Sequence, residues 1–288
     1  MDRGSLMTRL KIVHTTSYLY NGGVARSYNE ARLTPLSRDG QMVLENSVKV
    51  APSSAAVGSY SDYWGTRVTT FDLQHWHEKM NVTATTTVEV DRSRPAPKAD
   101  AVDWETLRSG EVTDACAEWL APTRLTEIGD EVRAAVSHAA EGLWPADAAP
   151  AVMAWMRGEM KYVKGVTGVT TNAEQAWRQR TGVCQDLAHL GVGALRSLGI
   201  PARYVSGYIH PNPEAPVGET VAGQSHAWLE WWDGQWNSWD PTNHKPAGNL
   251  HVTVAAGRDY RDVSPLRGIL SGGGGAAPQV TVAITRVA

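Results

Sequence analysis

Short alternations of apolar and polar positions fill the N-terminal third of the chain. Alternation with a period of two is typical of strands with one buried face, and we predict strands over residues 10–20, 42–50, 67–73 and 80–90. No run of helical periodicity separates them, and strands at this spacing are typical of a small β-sandwich or an open barrel. The pattern therefore predicts an N-terminal β domain over residues 1–92.

Helical patterns follow this domain. Residues 93–145 begin with a proline-containing linker and continue into helical pieces, among them the Ala-rich residues 130–140. A longer helix is predicted over residues 148–162, and Asn172 is predicted to cap a short helix after it. We therefore assign residues 93–145 to a linker and helical segment, and residues 146–288 to a second domain with C-terminal strands.

The most regular helical pattern begins at Cys184. Apolar residues recur at i, i+3, i+4, i+7, i+8 and i+11 from Leu187 to Leu198, and Gly199 supplies a stop. Strands return after this helix. We predict a strand over residues 202–209, a loop over 211–223, and a hairpin formed by 225–232 and 235–240. The fold class expected is α+β, in which a β-sandwich-like domain precedes a core whose Cys184 helix packs on an antiparallel sheet.

The composition of the 288 residues narrows the function classes. Hydrophobic residues make up 42% and charged residues 20%, which allows a sizeable core and argues against global disorder. A net charge of −3 gives no indication of a nucleic-acid or membrane partner. Residues 1–7 lack the apolar stretch of a signal peptide. Two cysteines, Cys116 and Cys184, cannot form a disulfide framework, so we expect a cytoplasmic protein.

Cys184 is a candidate nucleophile because of its place at the start of a helix. The thiolate is the nucleophilic form, and a helix N-terminus or a nearby protonated histidine favours it. The backbone N–H of a residue at this position points out of the helix end and can donate to an oxyanion. A small buried cysteine without chemistry is the alternative, and the position alone does not decide between the two.

The hairpin supplies partners for this thiol. A two-residue loop, Asp233-Gly234, would turn Asp240 away from His226. A three-residue loop, Trp232-Asp233-Gly234, suits a type I turn that a left-handed glycine closes. In that register His226 and Asp240 are direct cross-strand neighbours with Cβ atoms roughly 5 Å apart, so the carboxylate can orient the imidazole. We predict a catalytic triad of Cys184, His226 and Asp240.

Four motifs occur in order over about residues 145–245. They are Thr181-Gly182-Val183-Cys184-Gln185-Asp186, Gly199-Ile200-Pro201-Ala202-Arg203-Tyr204-Val205-Ser206-Gly207-Tyr208, Ser225-His226-Ala227-Trp228 and Trp239-Asp240-Pro241-Thr242. Together they resemble the transglutaminase-like core of the papain-like group, whose members use cysteine, histidine and aspartate in this order. The N-terminal strands, with Asp62-Tyr63-Trp64-Gly65, resemble the β domain that precedes this core in bacterial members, and residues 254–265 resemble their tail.

The resemblance implies a cysteine protease, amidase or acyltransferase that acts on a Gln side chain or a peptide-like amide. The thiolate attacks the carboxamide, a thioester forms, and the acyl group passes to an amine or to water. This mechanism requires no metal or organic cofactor, and the expected partner is a peptide or protein substrate. The alternative is a non-catalytic or weakly active scaffold that binds a peptide or protein through a Trp-rich cleft, since the chain has 12 Trp and one Phe.

A few other residues could carry chemistry. His75 and His77 lie on one side of a predicted strand and could begin a metal site, but no third ligand accompanies them at usable spacing. Cys116 has no paired base and is interpreted as a buried helix residue. Gln175 and Trp177 precede the nucleophile, and either side chain could be a second oxyanion donor, although helix packing is the interpretation we prefer for both.

Overall fold

The computed structural model describes residues 7–38, 40–53, 56–92, 101–272 and 277–288. Within these ranges the strands are β1 (Thr8–Val24), β2 (Arg26–Ala31), β3 (Gln41–Ala51), β4 (Val57–Ser61), β5 (Arg67–Leu73), β6 (His77–Val90), β7 (Lys161–Tyr162), β8 (Thr181–Gly182), β9 (Ala202–Ile209), β10 (Thr220–Trp232), β11 (Trp236–Trp239), β12 (His251–Gly257), β13 (Leu266–Ser271) and β14 (Gln279–Arg286). The helices are α1 (Trp104–Leu107), α2 (Gly110–Ala115), α3 (Ala117–Leu120), α4 (Asp130–Ala139), α5 (Pro145–Glu159), α6 (Ala173–Gln179), α7 (Cys184–Ser197) and α8 (Tyr260–Val263).

Two antiparallel sheets dominate the fold. The larger has the strand order β12–β9–β10–β14–β1–β6–β3, with β11 paired to β10, and the smaller has the order β13–β2–β5–β4. One buried apolar cluster draws on strands of both sheets and consists of Tyr20, Val24, Ala31, Leu33, Phe71, Leu73, Met80, Val82 and Ala84. The N-terminal strands are thus held together by sheet-on-sheet packing, as in a sandwich.

Helix α7 packs against β9 and β10 of the larger sheet. Residues 186–196 of this helix are all buried. Gly191 allows the close approach, because a Cβ atom there would lie 2.4 Å from Cδ2 of Leu229 on β10. The predicted α+β class is confirmed, with the cysteine-bearing helix on an antiparallel sheet.

The strands β5 and β9 occupy the predicted bounds, residues 67–73 and 202–209. The sequence pattern does not predict β2 and β4. Strand β2 buries the polar residues Ser27 and Asn29, and β4 is exposed along its whole length. Neither strand therefore has the apolar alternation on which the prediction rests.

The loop predicted over residues 211–223 is wrong at its C-terminal end. Strand β10 begins at Thr220, and its first four residues pair with β14. The partner strand lies near the end of the chain, so a local pattern of Pro and Gly cannot indicate the pairing.

The larger sheet joins the two halves of the chain. Strand β14 pairs with β1 on one side and with β10 on the other, and Leu10 and Ile12 of β1 share a buried cluster with side chains of the helices. Residues 93–100, which include the prolines of the predicted linker, lie outside the described residues. The domain boundaries stay predictions. None of the helices within the described ranges is long and apolar enough to cross a membrane.

Candidate active site

Cys184 is the first residue of α7, as the sequence predicts. The carboxylate of Asp186, which is buried two residues further on, accepts the backbone N–H of Val183 at 2.7 Å and the hydroxyl of Thr167 at 2.6 Å. These bonds fix the first turn of the helix and hence the position of the thiol. The half-buried Cys184 also presents a backbone N–H that has no acceptor inside the helix.

The hairpin of β10 and β11 has a register that differs from the predicted one. Trp232 lies opposite Trp236, which makes the loop Asp233-Gly234-Gln235. The predicted loop and the direct cross-strand pairing of His226 with Asp240 are therefore wrong.

The side chains around the loop explain this register. The Asn237 amide donates to Oδ1 of Asp233 at 2.7 Å and to the carbonyl of Gln235 at 3.2 Å, so it closes a loop one residue further along the chain. The observed register differs from the predicted one by two residues. Side chains alternate with a period of two along a strand, so His226 and Asp240 remain on one face, as diagonal neighbours.

The imidazole of His226 lies between Cys184 and Asp240. Its Nε2 is 2.7 Å from Oδ2 of Asp240, and the ring also forms a hydrogen bond with the Cys184 thiol. Burial of the ring opposes its charged form, but the hydrogen bonds to Asp240 and Cys184 outweigh burial and raise the pKa of His226 to about 9. The site therefore favours a protonated histidine beside the thiol at neutral pH.

Asp240 is fully buried and accepts hydrogen bonds at both carboxylate oxygens. Oδ1 accepts the backbone N–H groups of Thr242 at 2.9 Å and Asn243 at 3.1 Å. Oδ2 accepts the Asn243 amide at 2.6 Å, in addition to the two histidines His226 and His251. Burial raises the pKa of Asp240, but these donors, above all His226, hold it well below its usual range. The carboxylate is thus kept ionised.

His251 at the start of β12 is a residue that the sequence analysis missed. Its Nε2 lies 3.1 Å from Oδ2 of Asp240, and its Nδ1 accepts the backbone N–H of Gly248 at 3.1 Å. Because Nδ1 is an acceptor, the neutral ring carries its proton on Nε2 and donates it to Asp240. No pattern in the sequence marks this residue, since the turn at Gly248 and the strand pairing place it.

The side chains of His226, Asp240 and His251 are close enough together to suggest a metal site. Zinc requires imidazole nitrogens with a free lone pair. In His251 the free lone pair is on Nδ1, where it accepts the Gly248 N–H, while Nε2 carries the proton. Hydrogen bonds therefore account for the cluster.

The thiol of Cys184 and the imidazole of His226 line a cleft of about 280 Å³. Its lining is His14, Thr16, Tyr18, Val169, Val183, Cys184, Gln185, Tyr204, Ser206, Ser225, His226, Ala227, Tyr260, Pro265, Leu266, Pro278 and Val280. The N-terminal strand β1 and the segment after α8 thus build walls of the site.

Tyrosine rather than tryptophan supplies the large aromatic side chains of this cleft. Tyr18, Tyr204 and Tyr260 line it, and no tryptophan does so among the described residues. The expectation of a Trp-rich cleft is therefore wrong. Tryptophans gather elsewhere, where the Trp119 ring contacts those of Trp64 and Trp236.

The remaining candidate residues from the sequence lie outside the cleft, in positions where they support the fold. Gln175 forms a capping box with Asn172 at the start of α6, and Trp177 is buried in the core. Neither lines the cleft. Cys116 is half-buried at the junction of α2 and α3, and burial raises its pKa. His75 and His77 are not part of the candidate metal cluster that the described residues contain.

Comparison with known proteins agrees with this architecture. Residues 10–89 match the bacterial transglutaminase-like N-terminal region, and residues 133–241 match the transglutaminase-like superfamily. An uncharacterised protein of Mycobacterium leprae is 43% identical over 282 residues, which cover 98% of this chain and 100% of that protein. An uncharacterised protein of Mycobacterium tuberculosis is 30% identical over 278 residues, which cover 91% of this chain and 87% of that protein.

Among solved structures, a candidate cysteine protease of Cytophaga hutchinsonii has the same fold. The TM-score is 0.74 at 24% identity, over 96% of this chain and 91% of that one. This likeness extends through both halves of the molecule. The chain belongs to the transglutaminase-like superfamily, and it carries the N-terminal region found in the bacterial members.

Proposed function

We propose that this protein is an enzyme that cleaves or transfers the acyl group of a carboxamide through a thioester on Cys184. The observation that supports this proposal most strongly is the double hydrogen bonding of His226, which contacts the thiol on one side and Asp240 on the other. An imidazole held in this way can take a proton from the thiol and return it within one turnover.

In the proposed reaction, the thiol proton has passed to His226 before the substrate reacts, and the Cys184 thiolate attacks the carbonyl carbon. The C–N bond breaks as His226 returns the proton to the leaving amine, which leaves an acyl thioester on Cys184. The backbone N–H of Cys184 supports the negative charge that develops on the carbonyl oxygen. Water or a second amine then attacks the thioester, gives a proton to His226, and releases the thiol.

Asp240 has a positioning role in this scheme. Its carboxylate holds the imidazole toward the thiol, and its charge stabilises the imidazolium. The open cleft beside Tyr18 and Tyr260 leaves room for an extended peptide, so we propose a Gln side chain or peptide amide as the acyl donor. Both cysteines are free thiols, which suits a reducing compartment such as the cytoplasm.

The proposal is tested by the rate of iodoacetamide alkylation as a function of pH, with the modified cysteine identified by mass spectrometry. We expect fast labelling of Cys184 well below pH 8, and a loss of that fast phase in His226→Ala. Cys116 serves as an internal control, because its thiol has no histidine partner in the described structure.

A screen for turnover then separates the two possible reactions. Glutamine-containing peptides are incubated with and without a fluorescent primary amine, and ammonia release and amine incorporation are measured for the native protein and for Cys184→Ser. Ammonia without incorporation indicates hydrolysis, and incorporation indicates transfer. If labelling of Cys184 is slow and does not respond to His226→Ala, the triad is not functional and a binding scaffold is the better interpretation.

A further inference from the structure

A second groove lies beside the catalytic cleft and has a volume of about 740 Å³. We call it the arginine groove; its lining is Pro122, Thr123, Arg124, Leu125, Val169, Thr170, Arg258, Asp259, Tyr260, Arg261, Asp262, Ser264 and Arg267. Val169 and Tyr260 line both the cleft and the arginine groove. A chain that binds in the cleft can therefore extend into this groove.

The two carboxylates of the arginine groove already have partners within the protein. Asp262 forms an ion pair with Arg258 at 3.0 Å. Asp259 is buried, and its Oδ1 accepts the backbone N–H of Arg261 at 2.7 Å. Neither carboxylate therefore needs the remaining arginine side chains as partners.

Three further arginines of the groove are exposed. In the described part of the chain, the guanidinium groups of Arg124 and Arg261 form no ion pair or side-chain hydrogen bond. Arg267 lies opposite Glu30 in the pairing of β13 with β2, and its charge interacts with that residue. The groove thus concentrates positive charge beside the catalytic cleft of a chain whose net charge is −3.

We propose that the arginine groove binds carboxylate side chains of the substrate, so that the enzyme prefers carboxamides with Asp or Glu a few residues away. This inference rests on the proposed function. A guanidinium group matches a carboxylate with two parallel N–H donors, and it stays charged at every relevant pH. The hydroxyl group of Thr170 lines the same groove and can donate a further hydrogen bond.

The test uses peptides in which a chloroacetamide group replaces the reacting side chain, flanked by three Glu residues or by three Gln residues. The second-order rate of Cys184 modification is measured by intact-mass spectrometry and divided by the iodoacetamide rate of the same variant. We expect the native protein to react about tenfold faster with the Glu peptide than with the Gln peptide. Each of Arg124→Gln and Arg261→Gln should reduce this Glu-to-Gln rate ratio about two- to fivefold. The ratio should also fall as salt is added.

A matched control variant combines Arg67→Gln with Arg133→Gln, two exposed positions outside the groove. It has the same net charge as a double variant that combines Arg124→Gln with Arg261→Gln, and we expect the control to keep most of the preference for Glu. Equal loss in both double variants would show that the effect is one of overall charge, and would overturn the proposal.

The outcomes distinguish this inference from the proposed function. If Cys184 reacts rapidly with iodoacetamide but the two peptides react at equal rates, the groove does not select acidic substrates while the catalytic proposal stands. If the thiol is unreactive, fluorescence anisotropy with the labelled Glu peptide, without its chloroacetamide group, still measures binding. Binding that Arg124→Gln and Arg261→Gln leave unchanged would overturn the groove proposal in that case.

Discussion

Substitution of Asp240 by Asn tests how much the carboxylate contributes to the active site. The change keeps the size of the side chain and removes its negative charge. In the native protein the pKa of His226 is raised from 6.5 to about 9 against the effect of burial, mainly by the hydrogen bond to Asp240. Without that charge, burial dominates, and we expect the pKa of His226 to fall toward or below 6.5.

The size of the effect follows from the pKa values. One pKa unit is worth about 1.4 kcal/mol, so the rise from 6.5 to about 9 corresponds to about 3 kcal/mol in favour of the charged ring. An ordinary thiol with a pKa of about 8.5 is about 3% ionised at pH 7. If the native site holds an ion pair of thiolate and imidazolium, Asp240→Asn should lower the alkylation rate at pH 7 by roughly 30-fold.

The assay measures the ultraviolet absorbance of the thiolate between pH 4 and pH 10, with Cys184→Ser as the blank, and iodoacetamide rates over the same range. Asp130→Asn is a suitable control, because it removes an exposed carboxylate that does not contact His226. Thermal melts establish that Asp240→Asn is folded. A folded Asp240→Asn protein whose thiolate titration matches that of the native chain would refute the reasoning, because the charge of Asp240 would then not stabilise the imidazolium.

Three further outcomes are expected. His251→Phe should cost about 1.5–3 kcal/mol of unfolding free energy in urea at pH 7, since Asp240 loses a donor, and His251→Gln should recover part of the loss. Gly193→Ala should lower the Tm, because its Cβ would lie 2.0 Å from the Thr126 carbonyl oxygen, whereas the unobstructed helix position Gly158→Ala should raise it. Folding raises the pKa of His226, so this residue contributes about 3 kcal/mol to the free energy of unfolding. That contribution is complete below pH 6.5 and is lost as the pH rises through about 9. Urea unfolding at pH 6 and pH 10 should detect that loss, and His226→Gln should remove it.

Local signals in the sequence determined the position of Cys184. The apolar stripe from Leu187 to Leu198 and the break before Cys184 correctly predict where α7 begins. These signals depend on contacts between residues three or four apart, which any short segment contains. The bounds of β5 and β9 follow equally well from their alternation, because strand periodicity is also a local property.

The sequence predicts one feature of the hairpin correctly and another wrongly. Alternation alone places His226 and Asp240 on one face, and this held although the predicted register was two residues wrong. A shift of two residues does not change the face of a strand, so the contact survives as a diagonal one. The register itself depends on the amide of Asn237, whose bonds to the loop are a feature of the folded hairpin.

The sequence by itself therefore determined the fold class, the start of α7 and the strand face that carries His226 and Asp240. Tertiary structure alone decided the rest of the site. His251 reaches Asp240 because β12 pairs with β9, β1 forms a wall of the cleft, and residues from several separate segments form the arginine groove. The physical reason is that each of these features depends on strands or segments that are distant in the chain. Their positions depend on which strands pair and how the sheet is ordered, and local periodicity carries no information about either.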